Sequence, residues 1–183
     1  MPLAAIPPLS TPRLTVREIV ATDLPDLLAV NGDPAVTHFL PYATWQGPAD
    51  AQAWFDRMAT LVAGGGARQL VMGLNEDASV IGTVLLFKHD EGSRRIELGY
   101  TLAQRHWGRG LAREALSAVL DHAFGPLGLR RVDAEVDPDN LASNALLQRL
   151  GFTHEGLLRD KYEGKGRTYG VNAWGLLAHE WRT

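Results

Sequence analysis

Two glycines at a fixed spacing carry the clearest chemistry in this chain. The stretch Arg105-His106-Trp107-Gly108-Arg109-Gly110-Leu111-Ala112 follows an alternating segment, Arg95 to Leu102. It opens a second segment, Gly110 to Phe124, whose apolar residues have helical spacing. Glycine lets a backbone turn tightly and approach a ligand closely. The N–H groups of a helix's first turn lack internal partners, and the helix dipole favours negative charge there. Backbone amides from about His106 to Leu111 therefore suit a phosphate or diphosphate. Arg105 and Arg109 either add positive charge or are simply solvated. The loop lacks the Lys-Ser/Thr ending of a P-loop and the three-glycine spacing of a dinucleotide fingerprint. A plain strand-to-helix connection uses glycines in the same way, so the loop alone leaves both readings open.

Other side chains stand near it in the pattern. Glu97 alternates with Ile96, Leu98 and Tyr100, so it faces away from those apolar side chains. That position fits a surface carboxylate as well as a functional one. Asn140 and Ser143 open a helical segment, where both types are favoured caps. Gly99 lies inside a strand, a position that often marks a bulge or a close backbone approach. The six histidines show no metal-ligand spacing, and no metal is expected. Trp45, Trp54, Tyr100, Trp107 and Trp174 read as core or loop anchors rather than ligand partners.

The elements that must hold these residues follow from periodicity and turn chemistry. Arg13 to Arg17 reads as the first strand, and Thr22 or Asp23 can cap a helix running to about Asn31. Pro48 suits a helix's first turn, with Ala49 to Val62 following. Gln69 to Leu74 and Val80 to Phe87 read as strands, and Lys88 to Ser93 as a polar turn. Beyond the glycine loop come a helix to Phe124, a strand over Arg131 to Val136 and a short helix over Leu141 to Leu150. Two last strands are expected at Thr153 to Leu158 and Val171 to Leu177, with Asp160 to Gly170 a charged, glycine-bearing loop between them. This order predicts an α/β protein, a mixed sheet with helices on both faces. A ligand should sit at the carboxyl ends of central strands, where the chain changes direction.

Composition narrows the classes. A chain of 183 residues fits one domain over 1–183, with residues 1–10 as an N-terminal extension. Net charge is −3 with no long basic run, which argues against nucleic-acid binding. The absence of cysteine excludes disulfides and a cysteine nucleophile. No apolar run approaches the ~20 residues that span a bilayer, so no membrane partner is expected. A cytoplasmic protein is the expectation.

Arg105-x-x-Gly108-x-Gly110 resembles the acyl-CoA diphosphate loop of the GNAT N-acetyltransferases. Asn140-Leu-Ala-Ser143-Asn144, then Leu150-Gly151-Phe152, then Glu155-Gly156 follow in the order that family shows. The ending from Trp174 to Trp181 and the opening Thr11-Pro12-Arg13-Leu14 resemble its branch of ribosomal-protein N-terminal acetyltransferases (RimJ/RimL type). The resemblance implies about seven strands, with the strand before the glycine loop and the one after its helix splaying apart to admit the pantetheine arm. It implies acetyl-CoA as cosubstrate, held through Leu98, Tyr100, Arg105, His106, Trp107, Gly108, Arg109, Gly110, Leu111, Ala112, Asn140 and Ser143. Glu97 then helps remove the amine proton, and Ser143 assists the leaving thiolate. The tyrosine that many members use for that second task is replaced by Leu147. An oxyanion donor is expected from a backbone N–H at a bulge over Leu98 to Tyr100.

Magnitudes shape the acceptor. An α-amine titrates near about 8 and a normal Glu near about 4.3, so direct proton transfer is uphill by about 5 kcal/mol. A lysine amine adds about 3 kcal/mol, which favours an α-amine. The expected partner is an amine acceptor, a peptide N-terminus or a small molecule, and the chain is a monomer or a homodimer. A non-catalytic acyl-CoA-binding module and a nucleotide-phosphate binder are the competing readings.

Overall fold

A computed structural model describes residues 2–181. The chain begins with two short strands, β1 (Leu9–Ser10) and β2 (Leu14–Glu18). Three helices follow: α1 (Leu24–Asn31), α2 (Pro34–Thr37) and α3 (Pro48–Ala63). Pro48 occupies the first turn of α3, where its missing N–H leaves nothing unpaired. Ala51, Trp54, Phe55 and Met58 recur at i, i+3, i+4, i+7 and pack with Leu27, Trp45, Val71 and Val80. Strands β3 (Arg68–Leu74), β4 (Val80–Asp90) and β5 (Arg95–Leu102) form an antiparallel meander. Then come α4 (Leu111–Phe124), β6 (Arg131–Val136), α5 (Leu141–Arg149), β7 (Thr153–Gly164) and β8 (Arg167–Leu177).

The eight strands make one mixed sheet in the order β1-β2-β3-β4-β5-β6-β8-β7. Its two faces are covered by different helices. Leu111, Ala115, Leu116, Val119 and Leu120 of α4 and Leu147 of α5 pack on Leu70, Val84, Ile96, Leu98, Val132 and Ala134. The helices α1 and α3 cover Val71 on the other face. Register carries that second face across the sheet. Val71 pairs with Thr83, and Thr83 with Thr101. Because side chains alternate, Thr101, Gly99 and Glu97 all face the α1–α3 side, whereas Leu98 and Tyr100 face α4 and α5.

Strands β5 and β6 are parallel but pair only at Arg95–Arg131, Ile96–Val132 and Glu97–Asp133. Past that point β5 continues along β4 to Leu102, and β6 continues along β8 to Val136. The two strands part, leaving a gap at their carboxyl ends, directly before the glycine loop and before α5. No helix among the described residues is long and apolar enough to cross a membrane.

Two expectations are corrected. The segment Asp160 to Gly170 is not a loop: β7 and β8 form a long hairpin with Lys165 and Gly166 as its turn. Both residues have positive φ, 52° and 73°, the backbone that a two-residue hairpin turn requires. The charged residues flanking the turn disguised the strands. The expected bulge at Leu98 to Tyr100 is also absent, since pairing with β4 runs without a shift from Gly82–Leu102 to Phe87–Glu97. The irregularity lies in β4 between Phe87 and Asp90, where Lys88 has φ 54°. A Cβ on Gly99, on the face it shares with Glu97, would lie in ordinary contact with the Phe87 ring, 3.8 Å away.

The segment read as an N-terminal extension contributes to the core. Leu3 and Ile6 are buried, and Leu3 N–H donates to the Gly65 carbonyl. Its first residue lies outside the described residues.

Candidate active site

The glycine loop runs from the end of β5 through a 3-10 turn, Gln104–His106, into α4. Gly108 and Gly110 have φ of 71° and 76°, and Gly110 is the helix N-cap. Both need the left-handed region that L side chains avoid. The amides of His106 and Trp107 already donate to the carbonyls of Ala103 and Gln104. That leaves the amides from Gly108 to Ala112 as the candidates to hold an anion. A Cβ on Gly108 would meet nothing within 4 Å, so open space lies over the loop.

Sequence reasoning missed what braces this loop. Arg13 donates from Nη1 to the Arg109 carbonyl (2.9 Å) and from Nε to Glu114 (2.7 Å) in the first turn of α4. Thr11 Oγ1 donates to the same carboxylate (2.6 Å). Burial pushes the Glu114 carboxyl up, but the hydrogen bonds from Thr11 and Arg13 and the Arg13 charge outweigh it and hold the pKa down. The result is an ionised strut, with the charge that would oppose a nearby anion paired to Arg13. The His106 ring is buried between two arginines. Arg105 Nε donates to its Nε2 (3.1 Å), and Arg109 Nη1 lies 3.3 Å from its Nδ1. Burial and the two guanidinium charges lower its pKa, which disfavours a positive charge on the ring. Trp107 is half exposed and anchors the loop through Nε1 to the Leu102 carbonyl (2.7 Å). The motif Thr11-Pro12-Arg13 was the available signal, but only the fold brings it to α4.

On the α1–α3 face, beneath the gap, stand Glu97 of β5 and Asp133 and Glu135 of β6, followed by Asp137. Each is matched by a cation. Lys88 Nζ donates to Glu97 (2.7 Å), Arg131 to Asp133 (2.6 Å) and Arg167 to Asp137 (2.6 Å), and Lys161 donates to Glu135. Tyr162 also donates to Glu135 (2.6 Å). Burial raises the pKa of Glu97 against the opposing pull of Lys88, with a further push from Glu135. Glu135 goes the other way: burial pushes it up, but the bonds from Lys161 and Tyr162 prevail. Two carboxylates on one face are thereby held at different proton affinities. Lys165, at the hairpin tip, donates to the Thr37 carbonyl (2.6 Å) and so ties the hairpin to the end of α2.

Across the gap, on the α4–α5 face, the Tyr100 hydroxyl lies 2.5 Å from Ser143 Oγ. Burial raises the Tyr100 phenol to about 12. Asn140 caps α5, its Oδ1 accepting from Ser143 N–H (3.2 Å). Leu147 is fully buried in the core and brings no hydroxyl to the gap. Asn144 does more than the sequence suggested. Its Nδ2 donates to the carbonyls of Asp137 and Asn140, and its Oδ1 accepts from Asn172 and from Trp174 Nε1. That side chain ties the start of α5 to β8. Trp45, read from sequence as an anchor, is packed in the cluster under α1 and α3, with Tyr42 against it. Tyr42 OH donates to Asn31 (2.9 Å), and Trp45 is buried against Trp54. The structure thus brings the glycine loop, Glu97, Tyr100, Asn140 and Ser143 to one end of β5 and β6.

A family model described as an acetyltransferase (GNAT) domain matches residues 13–153. The uncharacterized N-acetyltransferase p20 of Bacillus licheniformis is 35% identical over 173 residues, covering 94% of this chain and 97% of that relative. The [ribosomal protein uS5]-alanine N-acetyltransferase of Escherichia coli is 35% identical over 86 residues, 46% of this chain and 43% of its own length. A GCN5-related N-acetyltransferase from Brucella melitensis superposes with a TM-score of 0.88 at 22% identity, over 98% of this chain and 82% of that one. That last likeness concerns the fold alone. The matched span takes in β5, the glycine loop, α4 and α5, and on that footing the chain belongs to the GNAT acetyltransferases, N-acetyltransferases that use acetyl-CoA.

Proposed function

We propose that residues 1–183 work as one domain that acetylates the α-amine of a peptide or protein N-terminus. The amine attacks the thioester carbonyl directly, in a ternary complex. One observation carries this reading: a partly buried carboxylate, Glu97, and a hydroxyl, Ser143, stand on opposite faces of the sheet, at the gap where β5 and β6 part. The diphosphate of acetyl-CoA is held by the amides from Gly108 to Ala112, with the pantetheine arm between the strands beside Asn140. Glu97 orients the acceptor amine and takes up its proton, directly or through water. Its raised pKa narrows the mismatch with an α-amine. The Tyr100 N–H, beyond the last β5–β6 pair, faces the gap by strand alternation and supplies the oxyanion donor. The Ser143 hydroxyl donates toward the departing sulfur.

The E. coli relative is, by its name, an N-acetyltransferase for an alanine of a ribosomal protein, which supports a protein acceptor. A second reading, a small-molecule amine, is favoured by the hairpin tip bonded to Thr37, which ties the hairpin to the end of α2. Free-thiol release measured over N-terminally varied peptides and small amines separates them. Turnover confined to small amines contradicts the peptide reading. Binding of acetyl-CoA with no thiol release from any amine contradicts the proposed chemistry altogether.

Two further outcomes are expected. Ser143→Ala should lower kcat about 10- to 100-fold while the KM for acetyl-CoA stays near its original value, because the hydroxyl acts on charge that develops only as the C–S bond breaks. Lys88 donates to the Glu97 carboxylate and lowers its pKa. Lys88→Ala should therefore move the acidic limb of kcat/KM to higher pH. A shift to lower pH would contradict Glu97 as the titrating group.

A further inference from the structure

Tyr100 sits three residues beyond the last β5–β6 pair, and Ser143 lies in the first turn of the helix that follows β6. Their 2.5 Å contact therefore spans the gap from one splayed strand to the continuation of the other. The phenol is packed against the core beside Leu98, and Ser143 is its hydrogen-bond partner among the described residues. Ser143 has its own N–H engaged by Asn140, so its main chain is fixed while its hydroxyl is free to rotate. A hydroxyl that rotates freely can point its proton anywhere. A rigid donor on its oxygen removes that freedom and leaves the serine proton to point outward.

We propose that Tyr100 is a positioning residue for thiolate departure: its hydroxyl donates to Ser143 Oγ, and this aims the Ser143 O–H at the cofactor sulfur. The proposal rests on the reading that Ser143 acts toward the leaving group. A phenol is a stronger acid than an aliphatic alcohol, so it is the better donor of the two. Burial keeps the phenol protonated through the neutral range, so the donor is always present. Donation into the serine oxygen also polarises its O–H, which strengthens the bond it makes to sulfur. No proton needs to leave Tyr100. The C–S bond breaks, the electron pair stays on sulfur, and the serine proton is shared with it.

A double-mutant cycle tests this. Tyr100→Phe should lower kcat about 5- to 10-fold, with the KM for acetyl-CoA within about twofold and the unfolding midpoint near that of the parent. In the Ser143→Ala background, Tyr100→Phe should cost nothing further, because its only route of action is gone. Losses that multiply in the double variant overturn the proposal, as does a Tyr100→Phe enzyme with unchanged kcat. Should Ser143→Ala alone leave kcat intact, the reading of Ser143 fails, and that result is recognisable without the Tyr100 variant. If Phe is not tolerated in folding, Tyr100→Met, which also lacks the hydroxyl, serves in the same cycle.

Discussion

Glu97→Gln is expected to lower kcat about 100- to 1,000-fold, the usual range for losing a positioned base. Acetyl-CoA affinity should change little, since the carboxylate faces the α1–α3 side and the proposed cradle consists of backbone amides of the loop. Stability supplies an independent check on the same variant. Burial raises the Glu97 pKa, so the folded protein prefers its protonated form. A carboxyl with a raised folded pKa contributes stability below its unfolded pKa, and loses it as pH rises through the folded pKa. At neutral pH the ionised group is held against that preference, and the neutral amide relieves it. The lost pair with Lys88 counts for little, because Lys88 is half exposed and such pairs contribute at most about 1 kcal/mol. Glu97→Gln should thus unfold at or slightly above the parent's midpoint while losing turnover. A variant that loses both would mark Glu97 as structural.

Gly110→Val is expected to weaken acetyl-CoA binding about 30- to 100-fold. Gly110 has φ 76° and ψ 3°, the left-handed region. A β-branched side chain there is strained by about 1–3 kcal/mol. The strain is relieved by moving the N-cap, and the N-cap fixes the direction of the amides from Gly110 to Ala112. A misdirected cradle loses both the hydrogen bonds and the dipole alignment. Calorimetric titration with acetyl-CoA reads this directly. The rest of the fold should hold, because a Cβ at Gly110 would meet only the end of the flexible Arg13 side chain, 3.6 Å away. Binding within about twofold of the parent would show that the cofactor's anion is held elsewhere.

The elements nearest the site were legible because their signals are local. Alternation over Arg95 to Leu102 and Arg131 to Val136, the apolar stripe of α4 and the Asn140 cap each lie within one stretch of chain. Glu97 and Ser143 could be placed on their elements for the same reason. What escaped depends on contacts distant in sequence. The Arg13–Glu114 strut joins residues far apart in the chain, and the motif Thr11-Pro12-Arg13 does not announce its partner. The Tyr100–Ser143 contact needs the parting of β5 and β6, which is a sheet property. The hairpin over Asp160 to Gly170 was hidden because ion pairs to Glu135 and Asp137, rather than apolar alternation, hold its inner face.

A crystal structure with bound CoA tests the central claim most directly. The account predicts the diphosphate against the amides from Gly108 to Ala112, the pantetheine arm between β5 and β6, and the sulfur within hydrogen-bond reach of Ser143 Oγ. A diphosphate seated away from α4, or an arm that bypasses the gap between the two strands, would contradict it.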